Sequence, residues 1–462
     1  MAIPEDIRNV ERPKNSIVKL IGNKYAVIER IGCKRNNTSN MPINGHVIGH
    51  IIDYKYVPKK MTNINVTLKT YGDYKLASNL SLDVLNELKD CYGNYLATLI
   101  YVISLLRTIY PNLKDYQIEE AYEESFISNE YLNLNLKKNI ISKLIRDLGR
   151  DYSKALLFMQ NRIDKVDDNN KIIIDGMLKT NNSRINSLND FSYKSKLKQS
   201  KEISIIVAFD ATRKEILCSI PYSGNVVDFT SFPDFIKKTN IKKGIIIGDK
   251  GISNGSNINN IGFIFPLKRS SKILSSKLDI YKMEEKIENK ENPILCKKLF
   301  YEDRYYYAYK DLKRAAKEEQ DFINSKKFNI DVLNKKKEKF GTIVFISNQD
   351  LTLEEAYNLY QQRWEIELVN NFYKNILELD TVREHDDYSV YGSEFINLIS
   401  SIIGNRIKNK FNELGLFKKY TYHQIMKILR KYKKLKLPKY KDNWIDIITA
   451  KKEKEIMDQL CI

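Results

Sequence analysis

Cysteine is scarce and scattered in this 462-residue chain. The five, Cys33, Cys91, Cys218, Cys296 and Cys461, are odd in number, and no two stand at Cys-x2-Cys spacing. That excludes a zinc ribbon or a disulfide framework and fits a reduced, cytoplasmic protein. Histidine is rarer still. His46 and His50 lie four apart, a metal-ligand spacing on a helix, but Gly45 and Gly49 argue against a helix there. Long apolar runs are missing too. The longest, Tyr95 to Leu106, is interrupted by Thr98 and Ser104 and is too short to cross a bilayer, so it reads as a buried helix. The opening Met-Ala-Ile-Pro-Glu-Asp has no basic and then apolar leader, so neither export nor a membrane partner is expected. Acid is short relative to base: 58 Asp and Glu face 77 Lys and Arg, for a formal net charge of +19 and a pI near 9.3. A polyanionic partner follows.

The most informative segment is Tyr360-Gln-Gln-Arg363-Trp-Glu-Ile-Glu367, followed by Leu-Val-Asn-Asn-Phe-Tyr-Lys374. At about 100° per residue, Tyr360, Arg363, Glu367 and Lys374 fall at about 0°, 300°, 340° and 320°, one stripe roughly 60° wide. Glu365 falls at about 140°, on the opposite face. The stripe sets an acid able to hold a divalent metal between cations suited to phosphate. An exposed i, i+4 ion pair between Arg363 and Glu367 is the competing reading. Trp364, roughly 70° from the centre of the stripe, is expected in the core.

Upstream, residues 14 to 57 alternate short apolar runs with turn signals and read as β-hairpins. Residues 81 to 165 turn to helical periodicity, with Ser81 as candidate N-cap. From Lys171 the pattern is strand-like: Lys171 to Asp175, Glu202 to Asp210, Glu215 to Pro221, then a helix over Phe232 to Thr239 and a buried strand over Gly244 to Asp249. Asp175 and Asp210 each end an apolar run, so either could be a first metal ligand. If Asp210 lay on the first strand, too little chain would remain for a third before the helix, so strand counting selects Asp175 and leaves Asp210 as a turn former. Asp249, after Ile-Ile-Ile-Gly, is the second candidate, with a turn aspartate as its alternative.

The spacing Tyr-x2-Arg-x3-Glu-x6-Lys resembles the YREK signature of bacterial insertion-sequence DDE transposases of the cut-and-paste group. Asp249-Lys-Gly-Ile252 resembles that group's Asp-basic-Gly-Phe motif, and Gly224-Asn225-Val-Val-Asp228 its Gly-Asn-x2-Asp motif. The likeness extends through Asp175-Gly-Met-Leu-Lys-Thr-Asn-Asn-Ser183, Asn186-Ser-Leu188 and Asp387 to Phe395. Met177 stands where many relatives carry threonine, and Ile252 replaces the usual aromatic.

The resemblance implies an α/β fold, a ribonuclease-H-like catalytic core over 167–269 and 341–411 with a mainly β insertion domain over 270–340. A small β-hairpin region (1–60) and a helical DNA-binding region (61–166) would precede it, and a basic helical tail (412–462) would follow. It further implies that Asp175, Asp249 and Glu367 are catalytic and hold two Mg²⁺ ions, with Mn²⁺ as a substitute. Tyr360, Arg363 and Lys374 would bind DNA. The partners implied are double-stranded DNA, both terminal inverted repeats and target, and further copies of the chain in a homodimer or higher multimer, at the nucleoid. The tail from Lys427 to Lys441 holds eight cations and no acid, a further candidate DNA contact. The alternatives are a catalytically silent DNA-binding repressor derived from such a transposase, which Met177 leaves open, and a host nuclease, which needs the acids but not the stripe.

Overall fold

The computed structural model describes residues 3–36, 39–59, 66–195, 200–249, 261–288, 292–326, 328–437, 443–447 and 450–462. The chain divides into two units, Met1–Thr67 with Lys436–Asn443, and Leu68–Leu435 with Trp444–Ile462. In the first unit, β1 (Ser16–Ile21), β2 (Lys24–Asn36), β3 (Ser39–Ile52) and β4 (Lys55–Pro58) form an antiparallel meander over a small core of Ile7, Val18, Val27 and Ile51. His46 and His50 both lie on β3. At about 3.3 Å per residue they are far too distant to share a metal ion.

The second unit is built on one large sheet. Its strands are β6 (Lys171–Asn181), β7 (Glu202–Asp210), β8 (Glu215–Ser223), β9 (Ile245–Ile247), β10 (Gly262–Pro266), β11 (Glu285–Ile287), β12 (Ile294–Tyr301), β13 (Arg304–Lys310), β14 (Thr342–Ser347) and β15 (Thr381–Val382). β5 (Thr67–Thr70), β16 (Lys433–Lys436) and β17 (Trp444–Ile447) make a separate three-stranded sheet. The large sheet runs β11-β12-β13-β14-β10-β9-β6-β7-β8, with β15 alongside β6. β6, β7 and β8 are antiparallel neighbours, whereas β9 and β10 run parallel to β6. The near-continuous Ile and Val of β6, β7 and β9 suit strands covered on both faces, and nearly all of β7 is buried.

Two expectations are revised here. The insertion segment does not stand apart from the core, because β12 and β13 extend the core sheet through β14. The physical reason is burial: Tyr306, Tyr307, Ala308 and Tyr309 of β13 are all shielded, which an exposed hairpin would not achieve. The rest of the segment is helical, over Leu312–Ile323 and Ile330–Lys336. The basic tail is only partly helical, since its lysines build β16.

Helices cover the sheet. The longest, Asp387–Glu413, packs on β8 and on helices Asn94–Ile109 and Lys138–Arg150. Asn94–Ile109 contains the longest apolar run and is buried from Leu99 to Ile109, while Tyr95 in its first turn is exposed. Two glycines let the helices meet backbone to backbone: a Cβ on Gly149 would lie 1.7 Å from the Tyr388 carbonyl oxygen, and one on Gly392 1.8 Å from that of Ile145. Ser81 stands at the N-cap of Leu82–Tyr92, but its hydroxyl makes no capping bond and instead donates to the Ala77 carbonyl and pairs with the Tyr101 hydroxyl.

Candidate active site

Register explains why two acids meet. β6 and β9 pair in parallel with Ile173 opposite Ile247. Asp175 lies two residues further along β6, and Asp249 two residues past Ile247, just beyond the end of β9, so the parallel pairing carries both acids the same way along the sheet. Asp175 does not end its strand as the apolar run implied. β6 continues to Asn181 because Met177, Lys179 and Asn181 keep the inward alternation. Burial raises the Asp175 pKa, and the Asp249 charge pushes the same way. The Arg363 and Lys194 charges and the Gly176 backbone N–H act against them. Lys250, Gly251 and Ile252 lie outside the described residues.

Asp210 is occupied elsewhere. Fully buried, it accepts bonds from Asn170 Nδ2 (2.7 Å) and from the backbone N–H groups of Thr212 (2.9 Å) and Arg213 (3.0 Å), which closes its turn.

The signature helix starts with a capping box. Glu355 N–H donates to Thr352 Oγ1 (3.2 Å), and Thr352 N–H donates to Glu355 Oε2 (2.8 Å). It is not one straight α-helix, however. Leu353–Gln361 and Trp364–Asn371 are joined by a tightened turn, in which the Arg363, Glu365 and Ile366 amides bond three residues back. Phe372–Ile376 then widens into a π-turn, closed by the Leu377 amide on Phe372 O. The stripe is therefore rephased beyond Asn371, and Lys374 sits half-buried inside the π-turn.

Within the first part of the stripe, Arg363 Nη2 donates to Glu367 Oε1 at 3.2 Å. Glu367 thus makes the ion pair that its spacing allowed, and it faces the same ring as Asp249: both charges raise the Tyr360 pKa, behind burial as the main cause. Tyr360 packs against Phe345 with centroids 4.2 Å apart and the rings tilted by 31°. Glu365 lies opposite, facing Lys214, Lys408 and Lys171. Trp364 corrects the core expectation. It is 64% exposed and lines a cavity of about 350 Å³ with Tyr357, Tyr360, Arg363, Arg314 and Arg269.

Sequence reading missed Asn370. Its Nδ2 donates to Asp175 Oδ2 at 3.2 Å, while its buried Oδ1 has no protein partner. Its offset of ten from Tyr360 places it at about 280°, at the edge of the stripe. The signal was present, but an uncharged amide carried no weight in a search for acids and cations. The basic tail is partly spent: Arg430 pairs with Asp73, Lys431 with Glu453 and Lys434 with Asp446. Lys439 and Lys441 lie outside the described residues.

Among the described residues, no three His, Cys, Asp or Glu side chains converge as a metal-holding group. The donor set nevertheless suits a hard cation in part. The Asp249 charge acts on Asp175, and the amide of Asn370, whose oxygen is orphaned, lies against the Asp175 carboxylate. Glu367 is turned to Arg363.

Residues 169–390, a stretch that contains Asp175, Asp249 and Glu367, match the family described as "Transposase DDE domain". A comparison with curated proteins finds no match. Among solved structures, a chain of the cryo-EM structure of the piggyBac transposase synaptic complex with hairpin DNA is similar over 78% of this chain and 80% of that chain, with 11% identity and a TM-score of 0.38. Among the described residues, no helix is long and apolar enough to cross a membrane.

Proposed function

We propose that this protein is a DNA transposase, which cleaves at the ends of its insertion sequence and joins the freed 3′-hydroxyls to target DNA. The observation that carries the reading is that Asp175 and Asp249 each stand two residues beyond the paired Ile173 and Ile247 of neighbouring parallel strands, near enough for the Asp249 charge to act on Asp175, inside a stretch that matches the family described as "Transposase DDE domain". The strand order β8-β7-β6-β9-β10, with β9 and β10 parallel to β6, supports a ribonuclease-H-like core.

In this reading Asp175, Asp249 and Glu367 hold the Mg²⁺ ions, with the Asn370 oxygen beside them. Bound there, the metal would activate water or a 3′-hydroxyl and stabilise the leaving oxygen. Asn370 keeps the Asp175 carboxylate aimed by donating to its Oδ2. Arg363 has two tasks. It neutralises Glu367 while the site is empty of substrate, and it binds the DNA backbone when a phosphate arrives. A phosphate on Arg363 thereby releases Glu367 toward the two aspartates. Tyr360 and Lys374 extend the phosphate track.

The test is Mg²⁺-dependent cleavage of a labelled duplex carrying the element's own terminal repeat, comparing the wild type with Glu367→Gln. End-specific breaks that vanish in the variant support the reading. Binding without cleavage in both proteins supports the silent repressor instead.

A further inference from the structure

Another cavity, of about 300 Å³, opens between the end of Asn94–Ile109, the start of Lys138–Arg150, the segment around β15 and Asp387–Glu413. Arg107 is buried in its wall, donating to Asn397 Oδ1 at 3.1 Å and to Asp115 Oδ1 at 2.8 Å. Three more cations line it: Lys114, Lys138 and Arg383, the last two exposed.

Two of these cations converge. Lys114 Nζ and Arg383 Nη2 both donate to Asn112 Oδ1, each at 2.5 Å. Like charges from distant parts of the chain thus share one neutral oxygen. Their repulsion is felt: burial lowers the Lys114 pKa, the Arg383 charge lowers it further, and Glu378 works the other way. The acids of the cavity are mostly answered within the fold. Asp115 pairs with Arg107 at 2.8 Å and Glu394 with Lys179 at 2.6 Å, while Glu384 is bonded by Ser393 and faces Arg107. That leaves Glu378 against three cations.

Two charged donors directed at one uncharged oxygen mark the place of an anion. Phosphate suits it, because its non-bridging oxygens can go one to the guanidinium fork and one to the ammonium. The cavity also has a fixed relation to the strand of the first acid. β15 pairs with Thr180 and Asn181 of β6, and Asn181 Nδ2 donates to the Glu384 carbonyl at 3.1 Å. From Asp175 to Thr180 is about 17 Å of strand, close to five base-pair steps of a duplex. A free phosphate would satisfy the cations equally, but a duplex would also reach the acids.

We propose that Lys114 and Arg383, with Lys138 beside them, grip one backbone phosphate of the duplex whose scissile phosphate lies at Asp175 and Asp249. Asn112 holds the two side chains together until that phosphate arrives. The proposal rests on the transposase reading and deepens it, since it says where the substrate is held away from the acids.

The experiment uses the full chain and two labelled duplexes of equal length, the element's terminal repeat and a scrambled sequence, followed by fluorescence anisotropy across a KCl series. Lys114→Gln with Arg383→Gln is expected to flatten the dependence of log K on log salt by about 0.9, the share of one phosphate, and equally for both duplexes. Arg383→Gln alone, at an exposed position, is expected to weaken both duplexes about threefold, so the test survives a double variant that folds poorly. The charge-matched pair Lys242→Gln with Lys243→Gln, exposed at the amino end of β9, is expected to leave the slope unchanged. An unchanged slope in the first pair, a loss of about 1.8 that two separate phosphates would give, a loss confined to the terminal repeat, or an equal loss in the control pair overturns the proposal and spares the transposase reading. Inorganic phosphate that raises the wild-type melting temperature but not that of the double variant, with duplex binding the same in both, overturns it in favour of a free-anion site. A wild type that binds neither duplex overturns both.

Discussion

Lys179→Met should be among the most damaging single substitutions in the chain, although Lys179 touches neither acid strand partner nor stripe. Lys179 is four residues beyond Asp175, on the same face of β6, and its side chain is wholly shielded from solvent. Its Nζ reaches Glu394 Oε1 at 2.6 Å and Tyr373 Oη at 3.0 Å. Tyr373 donates to Glu394 Oε2 at 2.8 Å, Asn397 Nδ2 donates to Glu394 Oε1 at 3.1 Å, and Arg107 donates to Asn397 Oδ1 at 3.1 Å. Burial lowers the Lys179 pKa, and Glu394 opposes that shift. Removing the ammonium leaves the Glu394 carboxylate buried without a counter-charge, at a cost of about 3–5 kcal/mol. At about 2–4 °C per kcal/mol, that is a fall of roughly 6–20 °C in melting temperature. Glu394→Gln in the same chain removes the stranded charge while keeping an oxygen for Asn397, so the double variant should regain at least about half of the loss. Scanning calorimetry of the wild type, both single variants and the double variant decides it. Should the double variant melt no higher than Lys179→Met, the cost would not be a stranded charge, and the reasoning would fail. Cleavage assays below the melting range give a second readout. Tyr373 belongs to the π-turn that sets the phase of Lys374, so both single variants should lose activity while still folded.

Three further expectations follow from the same geometry. Gly392→Ala must push Lys138–Arg150 away from Asp387–Glu413, because its methyl would overlap the Ile145 carbonyl; a loss of about 1–3 kcal/mol or more is expected, read by chemical denaturation, and an unchanged midpoint would contradict the backbone contact. Asn370→Ala should lower Mg²⁺-dependent cleavage about 10–100-fold with an unaltered melting curve, and cleavage at the wild-type rate would remove Asn370 from the site. Glu318 gives a pH signature: burial works against its charged form, but Arg269, the Gly341 N–H and Arg314 bring its pKa from the ordinary 4.5 down to about 2. A depressed carboxyl pKa stabilises the fold above the unfolded value and loses that contribution as pH falls through the folded one. The stability gap between wild type and Glu318→Gln should therefore narrow between about pH 4.5 and 2 in thermal melts, and a gap independent of pH would refute the assignment.

Much of this architecture could be read from residue patterns because burial on both faces of a strand leaves a coarse mark. The Ile-rich runs announced β6, β7 and β9, and the succession of three strands, a helix and a fourth strand is observed. The Thr352 cap was legible because an N-cap and its reciprocal glutamate are local. The insertion segment was harder to read. An aromatic strand such as Tyr305 to Tyr309 looks the same whether it forms its own hairpin or joins a neighbouring sheet. What decides is β14, which follows it only after two intervening helices.

The site divides along the same line. Parallel pairing has a fixed repeat, so the pairing of Ile173 with Ile247 directs both aspartates, two residues on, toward one another, Asp175 still on β6 and Asp249 just past the end of β9. A helix keeps its phase only while every turn has the same bond. Three amides bonded three residues back at Arg363, Glu365 and Ile366, and one bonded five back at Leu377, rotate everything after them. No residue near Phe372 marks that change in the sequence. Its cause lies elsewhere in the fold, where Tyr373 is drawn to Lys179 on one strand and to Glu394 on another helix. The two strand acids therefore follow from local sequence. The bearing of Lys374 follows only from a buried charge pair whose members stand more than two hundred residues apart.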